Sequence, residues 1–268
     1  MLNQGARHFV AGIFAALVGV TLASATAHAQ ATAAETACIT AFNKGIRQVA
    51  KAQAGIINKC LRDFSSGRLT GSTPEDCVRS DLNNDQSEAI AKAATKIASK
   101  CSAGIPGYGA TPVETALLRA VLSQIDLAHG IFGADLDNAI LPIADRASCQ
   151  ARVNQALLKC EDRRIREYLK CQKTGLKNGA ITDAASMAAT CLGTGASPQP
   201  DSKGRIALDC DTKLASAVNS RCGSLDQTAA FPACYASTVS GTTDCLKRES
   251  ACQLCQLLND VDNLSRDC

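Results

Sequence analysis

Fifteen cysteines, all of them beyond residue 37, constrain this chain more than any other feature. Their spacing repeats. Cys38 and Cys60 are 22 residues apart, and so are Cys149 and Cys171. Both segments have a helical pattern, and each closes on a Lys-Cys step (Lys59-Cys60, Lys170-Cys171). A short polar turn with glycine follows each, then Cys77 in one case and Cys191 in the other. A further helical stretch then ends in Cys101 or Cys222. A fainter echo pairs Asp135-Leu136-Asp137-Asn138 with Asp260-Val261-Asp262-Asn263. The pattern reads as two divergent copies, 30–146 and 147–268, of one helical unit.

So many cysteines call for an oxidising compartment, and the N-terminus agrees. Arg7 and His8 precede an uncharged apolar run from Phe9 to Ala25, and Ala27-His28-Ala29 is a small-x-small cleavage site. Residues 1–29 are therefore expected to be a signal peptide cut after Ala29. The run is short for a spanning helix, which needs about 20 residues. No cysteine follows the cut to carry a lipid, and no later stretch is apolar enough to span a bilayer. The expected location is the periplasm, cell surface or exterior. The formal charge of +3, to which the leader contributes only Arg7, gives no argument for nucleic acid or an acidic membrane surface.

Helix signals run throughout. Phe42, Ile46, Val49, Ile56 and Cys60 share one helical face. Thr73-Pro74 opens a short helix. Asp85 to Glu88 resembles a capping box ahead of Ile90, Ala94 and Ile97, and Thr111 to Glu114 repeats the device before Leu117 and Val121. In the second copy, Ser148 is expected to start a long helix to about Lys173, Thr182 a short one to Cys191, and Ser202 another to Cys222. The Gly193–Gly204 loop is rich in Gly, Ser and Pro and is expected to be exposed. Strand alternation never lasts, so the expected class is all-α: two repeats of disulfide-stapled antiparallel helical hairpins. Tryptophan is absent and aromatics are scarce. A core of Ala, Leu, Ile and Val buries little area per residue, which makes cross-links a plausible supplement.

The second copy has two extra cysteines, Cys160 and Cys210, where the first has Val49 and Ala89. Their joint presence implies that they bond to each other. In an antiparallel hairpin Cys160 meets Cys210 and Cys149 meets Cys222, because 11 and 12 residues rise about 16 and 18 Å. The same frame pairs Cys38 with Cys101, and the far-end Cys60 and Cys171 take Cys77 and Cys191. A parallel hairpin would set Cys38 against Ala89. Eleven residues return nearly to one helical face and twelve overshoot by a third of a turn, so the second helix must bend or begin irregularly near Cys210.

Five cysteines stay unassigned: Cys234, Cys245, Cys252, Cys255 and Cys268. An odd number leaves one free, modified or bonded to a partner. Cys252-Gln253-Leu254-Cys255 is a CxxC, and a thiol–disulfide redox role through Cys252 and Cys255 is the first alternative to a structural reading. It sits inside an expected helix, about Thr243 to Leu264, with no βαβ pattern beside it. Metal binding by the tail cysteines is the second alternative. Gln256 in place of histidine removes covalent haem. Asp81-Leu82-Asn83-Asn84-Asp85 alternates like a calcium loop but lacks Gly at the sixth place (Gln86) and Glu at the twelfth (Lys92), so capping explains it better. The Asp-x-Asp-Asn pairs read as caps or turns. Lys159, Arg163, Arg164, Arg166, Lys170 and Lys173 form a basic stretch that reads as a solvated face rather than a polyanion site. His129 has no recognisable acid or nucleophile partner, and no phosphate loop, serine elbow or zinc protease motif is present.

The runs Ile131-Phe132-Gly133-Ala134-Asp135-Leu136-Asp137-Asn138-Ala139-Ile140, Leu225-Asp226-Gln227 with Phe231-Pro232-Ala233-Cys234, and Cys252-Gln253-Leu254-Cys255-Gln256-Leu257-Leu258-Asn259 ending in Leu264-Ser265-Arg266-Asp267-Cys268 resemble a group of uncharacterised cysteine-rich exported bacterial proteins. That group continues with acidic residues after the last cysteine, where this chain ends. The resemblance implies export and a repeated helical build, and no activity. The expectation is a structural or binding protein of the envelope or exterior, without catalytic residues, cofactor or metal. Its partner would be a protein or envelope component, with the odd cysteine available for an intermolecular bond.

Overall fold

The computed structural model describes residues 31–102, 111–140, 144–193, 199–234 and 236–268. The leader, and residues 194–198 of the Gly/Ser/Pro loop, lie outside the described residues. Among those described, the regular structure is helical and no strand forms.

Helix α1 (Ala33–Ser65) opens on a capping box. The Glu35 amide donates to Thr32 Oγ1 (3.1 Å), and the Thr32 amide donates to Glu35 Oε2 (2.8 Å). It stops at Gly67, whose φ of 67° suits a residue without Cβ. Helix α2 (Pro74–Arg79) has Thr73 as N-cap. Helix α3 (Asp85–Lys100) is not held by its own capping box: the carboxylate of Asp81 accepts from the Gln86 amide (2.8 Å) and the Ser87 amide (3.0 Å). The would-be calcium loop is therefore a helix start. Helix α4 (Val113–Phe132) has Pro112 as N-cap with no side-chain bond, contrary to the Thr111 box.

Asp135 caps a single turn, α5 (Leu136–Ala139), whereas Asp260 and Asp262 lie at the end of a long helix. The sequence echo between those motifs is thus not matched in structure.

Helix α6 (Ala144–Asn178) starts before Ser148 and outruns Lys173. Helix α7 (Ala184–Cys191) is capped by Asp183 rather than Thr182. The next helical stretch begins at 205, not at Ser202, with Asp201 accepting from the Arg205 and Ala207 amides. It runs as a π-helix over Ala207–Lys213 before becoming α8 (Leu214–Cys222). This is the irregularity required near Cys210. The wider i→i+5 turn absorbs an extra residue, so the 12-residue step on this arm of the hairpin faces the 11-residue step on α6. A single turn α9 (Gln227–Ala230) and the long α10 (Val239–Asp262) complete the chain.

Cys38–Cys101 and Cys60–Cys77 staple α1 to the ends of α3 and to α2. Cys149–Cys222, Cys160–Cys210 and Cys171–Cys191 staple α6 to α8, to the π segment and to α7. These five bonds coincide with the pairs that the spacing yields. Cys234–Cys245 and Cys255–Cys268 close the tail, and Cys252 is free.

Among the described residues, no disulfide joins the first copy to the second. The two stretches share an apolar core instead. Helix α1 lies along α3, α4 and α6, and α10 lies along α4, α6 and α8. Phe42, Ile46, Leu117 and Ile131 pack in one cluster with Val153, Leu157, Val218, Phe231 and Val261. Helices α1 and α3 approach so closely that a Cβ on Gly45 would sit 3.0 Å from Ile97 Cδ1.

Candidate functional site

Three helix ends meet at one corner, two of them joined by a disulfide. Cys38–Cys101 fixes the end of α3 against the first turns of α1, with Cα atoms 4.7 Å apart. The last turns of α6 reach the same corner. Between them lies an open groove of about 580 Å³. Its floor is small: Ala33, Ala37, Ala41, Thr36 and Thr40 of α1. Its rim is basic: Lys44 of α1, Lys96 and Lys100 of α3, and Lys173 and Lys177 of α6. No carboxylate is among the lining residues. Glu35, one position from Thr36, is turned back onto the cap of its own helix.

The arrangement is electrostatically costly. Lys96 with Lys100, and Lys173 with Lys177, are like charges at i,i+4, each a destabilising pair. Lys100 and Lys177 fall in the last turns of their helices, where the macrodipole favours a cation. That account does not extend to Lys44, Lys96 or Lys173, and none of these three forms an ion pair among the described residues. A concave surface lined by one sign of charge concentrates the opposite ion.

The rest of the basic stretch behaves differently. Arg163 binds Asp209 (2.8 Å), Arg166 binds Asp162 (2.8 Å) and Lys170 binds Glu167 (2.7 Å). Lys159 lines another cavity. Only Lys173 of that run reaches the groove. His129 Nε2 lies 3.0 Å from Glu75 Oε2, an acid partner 54 positions away in sequence, and Glu75 also takes Arg79 (2.6 Å). The interactions with His129 and Arg79 outweigh burial and hold the Glu75 carboxyl below its ordinary value.

The tail cysteines do not converge. Cys255 is bonded to Cys268, so the CxxC pair is not closed on itself. Burial, helped by the charge of Glu249, pushes the half-buried Cys252 thiol up. An attacking thiol needs the opposite shift. Four of the five tail sulfurs are in disulfides, and no cluster of three metal-ligating side chains occurs among the described residues.

A buried polar network was not visible in the sequence. Asp262, fully buried, accepts from Tyr168 Oη (2.5 Å), Asn43 Nδ2 (2.9 Å) and Gln172 Nε2 (3.3 Å). No cation is among these partners. Burial raises the Asp262 carboxyl to about 6 despite the three donors, and the Tyr168 hydroxyl is pushed well up as well, by burial and by Asp262. The network ties α1, α6 and α10 at one point, and its closure from solvent makes it structural rather than a binding site.

No protein-family model, curated protein or solved structure matches the chain.

Proposed function

We propose that this chain is an exported, non-catalytic binding protein. Its disulfide-stapled helices hold a lysine groove open for an acidic amphiphile of the cell envelope. The observation that carries the reading is the convergence of five lysines from three helices on a groove without a carboxylate. An acidic head would sit among the lysines and an apolar body on the alanine and threonine floor. Export is supported by the leader-like first 29 residues and by the disulfides, which belong to oxidising compartments. The two stapled hairpins are read as divergent copies, of which the second carries the additional Cys160–Cys210 bond.

Calorimetric titration with dodecyl phosphate, below its micelle concentration, tests the reading. One site per chain is expected, weakened by salt, with dodecyl maltoside inert and inorganic phosphate at least tenfold weaker. Lys96→Glu combined with Lys173→Glu should abolish the binding while the helical circular dichroism is unchanged. Equal binding by that variant, or by the maltoside, overturns the proposal.

A further inference from the structure

A second cavity, separate from the lysine groove, opens between α1 and α6. It holds about 200 Å³, and the small residues of α1 along it, Ala50, Ala54 and Gly55, leave that space. A Cβ placed on Gly55 would meet nothing within 4 Å. Leu158 and Ile165 of α6 form the apolar wall opposite.

The floor of this slot is polar and incompletely satisfied. Glu161 is 2% exposed, and its Oε1 accepts from Gln124 Nε2 of α4 at 2.8 Å. It forms no ion pair among the described residues. Asn58 Oδ1, in the same slot, is buried with no hydrogen-bond partner. A buried acid without a cation and an unsatisfied amide oxygen each cost stability, and both lie where a ligand would relieve them.

The mouth is cationic. Arg47 is held by Asp162 at 2.7 Å, whereas Lys51 and Lys159 form no ion pair among the described residues. The volume falls below that of pockets for drug-sized molecules, so a single-ring occupant fits.

We propose that the slot between α1 and α6 binds a small organic acid carrying a hydroxyl at the end remote from its carboxylate. The apolar body lies between Ala54 and Leu158, and the carboxylate meets Lys51 and Lys159. The hydroxyl donates to Asn58 Oδ1 and accepts from the protonated carboxyl of Glu161. Burial pushes the Glu161 carboxyl up to about 7, with a smaller contribution from the charge of Asp162 on the same helix. The other charged groups at the slot are Arg47 and Lys51 on α1 and Lys159 on α6, while α4 contributes only the neutral Gln124.

The probe is 4-hydroxybenzoate, followed by calorimetry and by amide chemical-shift changes along α1 and α6. One site per chain is expected, with benzoate and 4-hydroxybenzylamine each at least tenfold weaker. Affinity should fall roughly tenfold from pH 6 to pH 8 as the protonated fraction of Glu161 falls. Glu161→Gln, which keeps a donor at every pH, should bind with no such fall. Gly55→Leu fills the slot and replaces a helical glycine, so it should abolish binding without lowering the melting temperature. Absence of 4-hydroxybenzoate binding by the wild type overturns the proposal, as does unchanged binding by Gly55→Leu or equal affinity for the amine. A Glu161→Gln variant with the wild-type pH profile also overturns it.

Discussion

Asp262 is the last residue of α10, fully buried, and takes three hydrogen bonds from neutral donors. Its carboxyl loses a proton near pH 6 in the folded chain against an ordinary value of 3.8. A difference of that size is worth about 3 kcal/mol. Because the folded state holds the proton more tightly, this stabilisation is complete below pH 3.8 and is lost as the pH rises through about 6. Asp262→Asn removes the titration and keeps the packing. Its Oδ1 can still accept from Asn43, and its Nδ2 can donate to Tyr168, whose hydroxyl then turns to Met187 Sδ at 3.0 Å. Other carboxyls, Glu75 and Asp209 among them, are shifted the opposite way. The quantity to follow is therefore the difference between variant and wild type. Urea unfolding with the disulfides intact, measured from pH 4 to pH 8, should show that difference moving by about 2.5 kcal/mol in favour of the variant. Parallel stability curves for the two proteins would refute the reasoning.

Two further outcomes follow from the disulfide framework. Denatured but unreduced protein should take up a single equivalent of alkylating agent, on Cys252, and Cys252→Ser should take up none. In the native state the reaction should be slow, since burial and Glu249 keep the thiol protonated; two or more reactive thiols, or fast native labelling, would contradict the framework. Replacing Cys160 and Cys210 together by alanine opens a loop with a sequence separation of 50, and chain entropy puts the loss at about 4 kcal/mol. An unchanged urea midpoint would show that the bond does not constrain the unfolded chain.

Cysteine spacing carried much of the architecture, because a disulfide fixes which residues meet as well as which face they occupy. Even the mismatch between 11- and 12-residue steps had a structural consequence, the π-helical turn through Cys210. Helix starts were less legible. Several adjacent Asp, Ser and Thr side chains compete for the same amides, and Asp183 and Asp81 won over Thr182 and the Asp85–Glu88 box. The shared core was hidden because a periodic stripe shows that a helix has a buried face without saying what covers it.

The lysine groove was hidden for a similar reason. Lys44, Lys96, Lys100, Lys173 and Lys177 are scattered over more than 130 positions, so a local charge window sees the run around Lys170 instead. A signal did exist: two i,i+4 lysine pairs at helix ends, one of them beside Cys101, whose partner Cys38 lies in the first turns of α1. The local sequence around Asp262 matches a cap or turn, and nothing in it shows that the end of α10 is covered by Asn43, Tyr168 and Gln172.

The most direct test of the binding account is native mass spectrometry of the protein isolated from its own cells without detergent. A fraction of the chains should carry one acidic amphiphile each, and that adduct should be missing from the Lys96→Glu, Lys173→Glu variant prepared in parallel. Adduct-free wild-type protein that also ignores dodecyl phosphate, or an adduct retained equally by the variant, would contradict it.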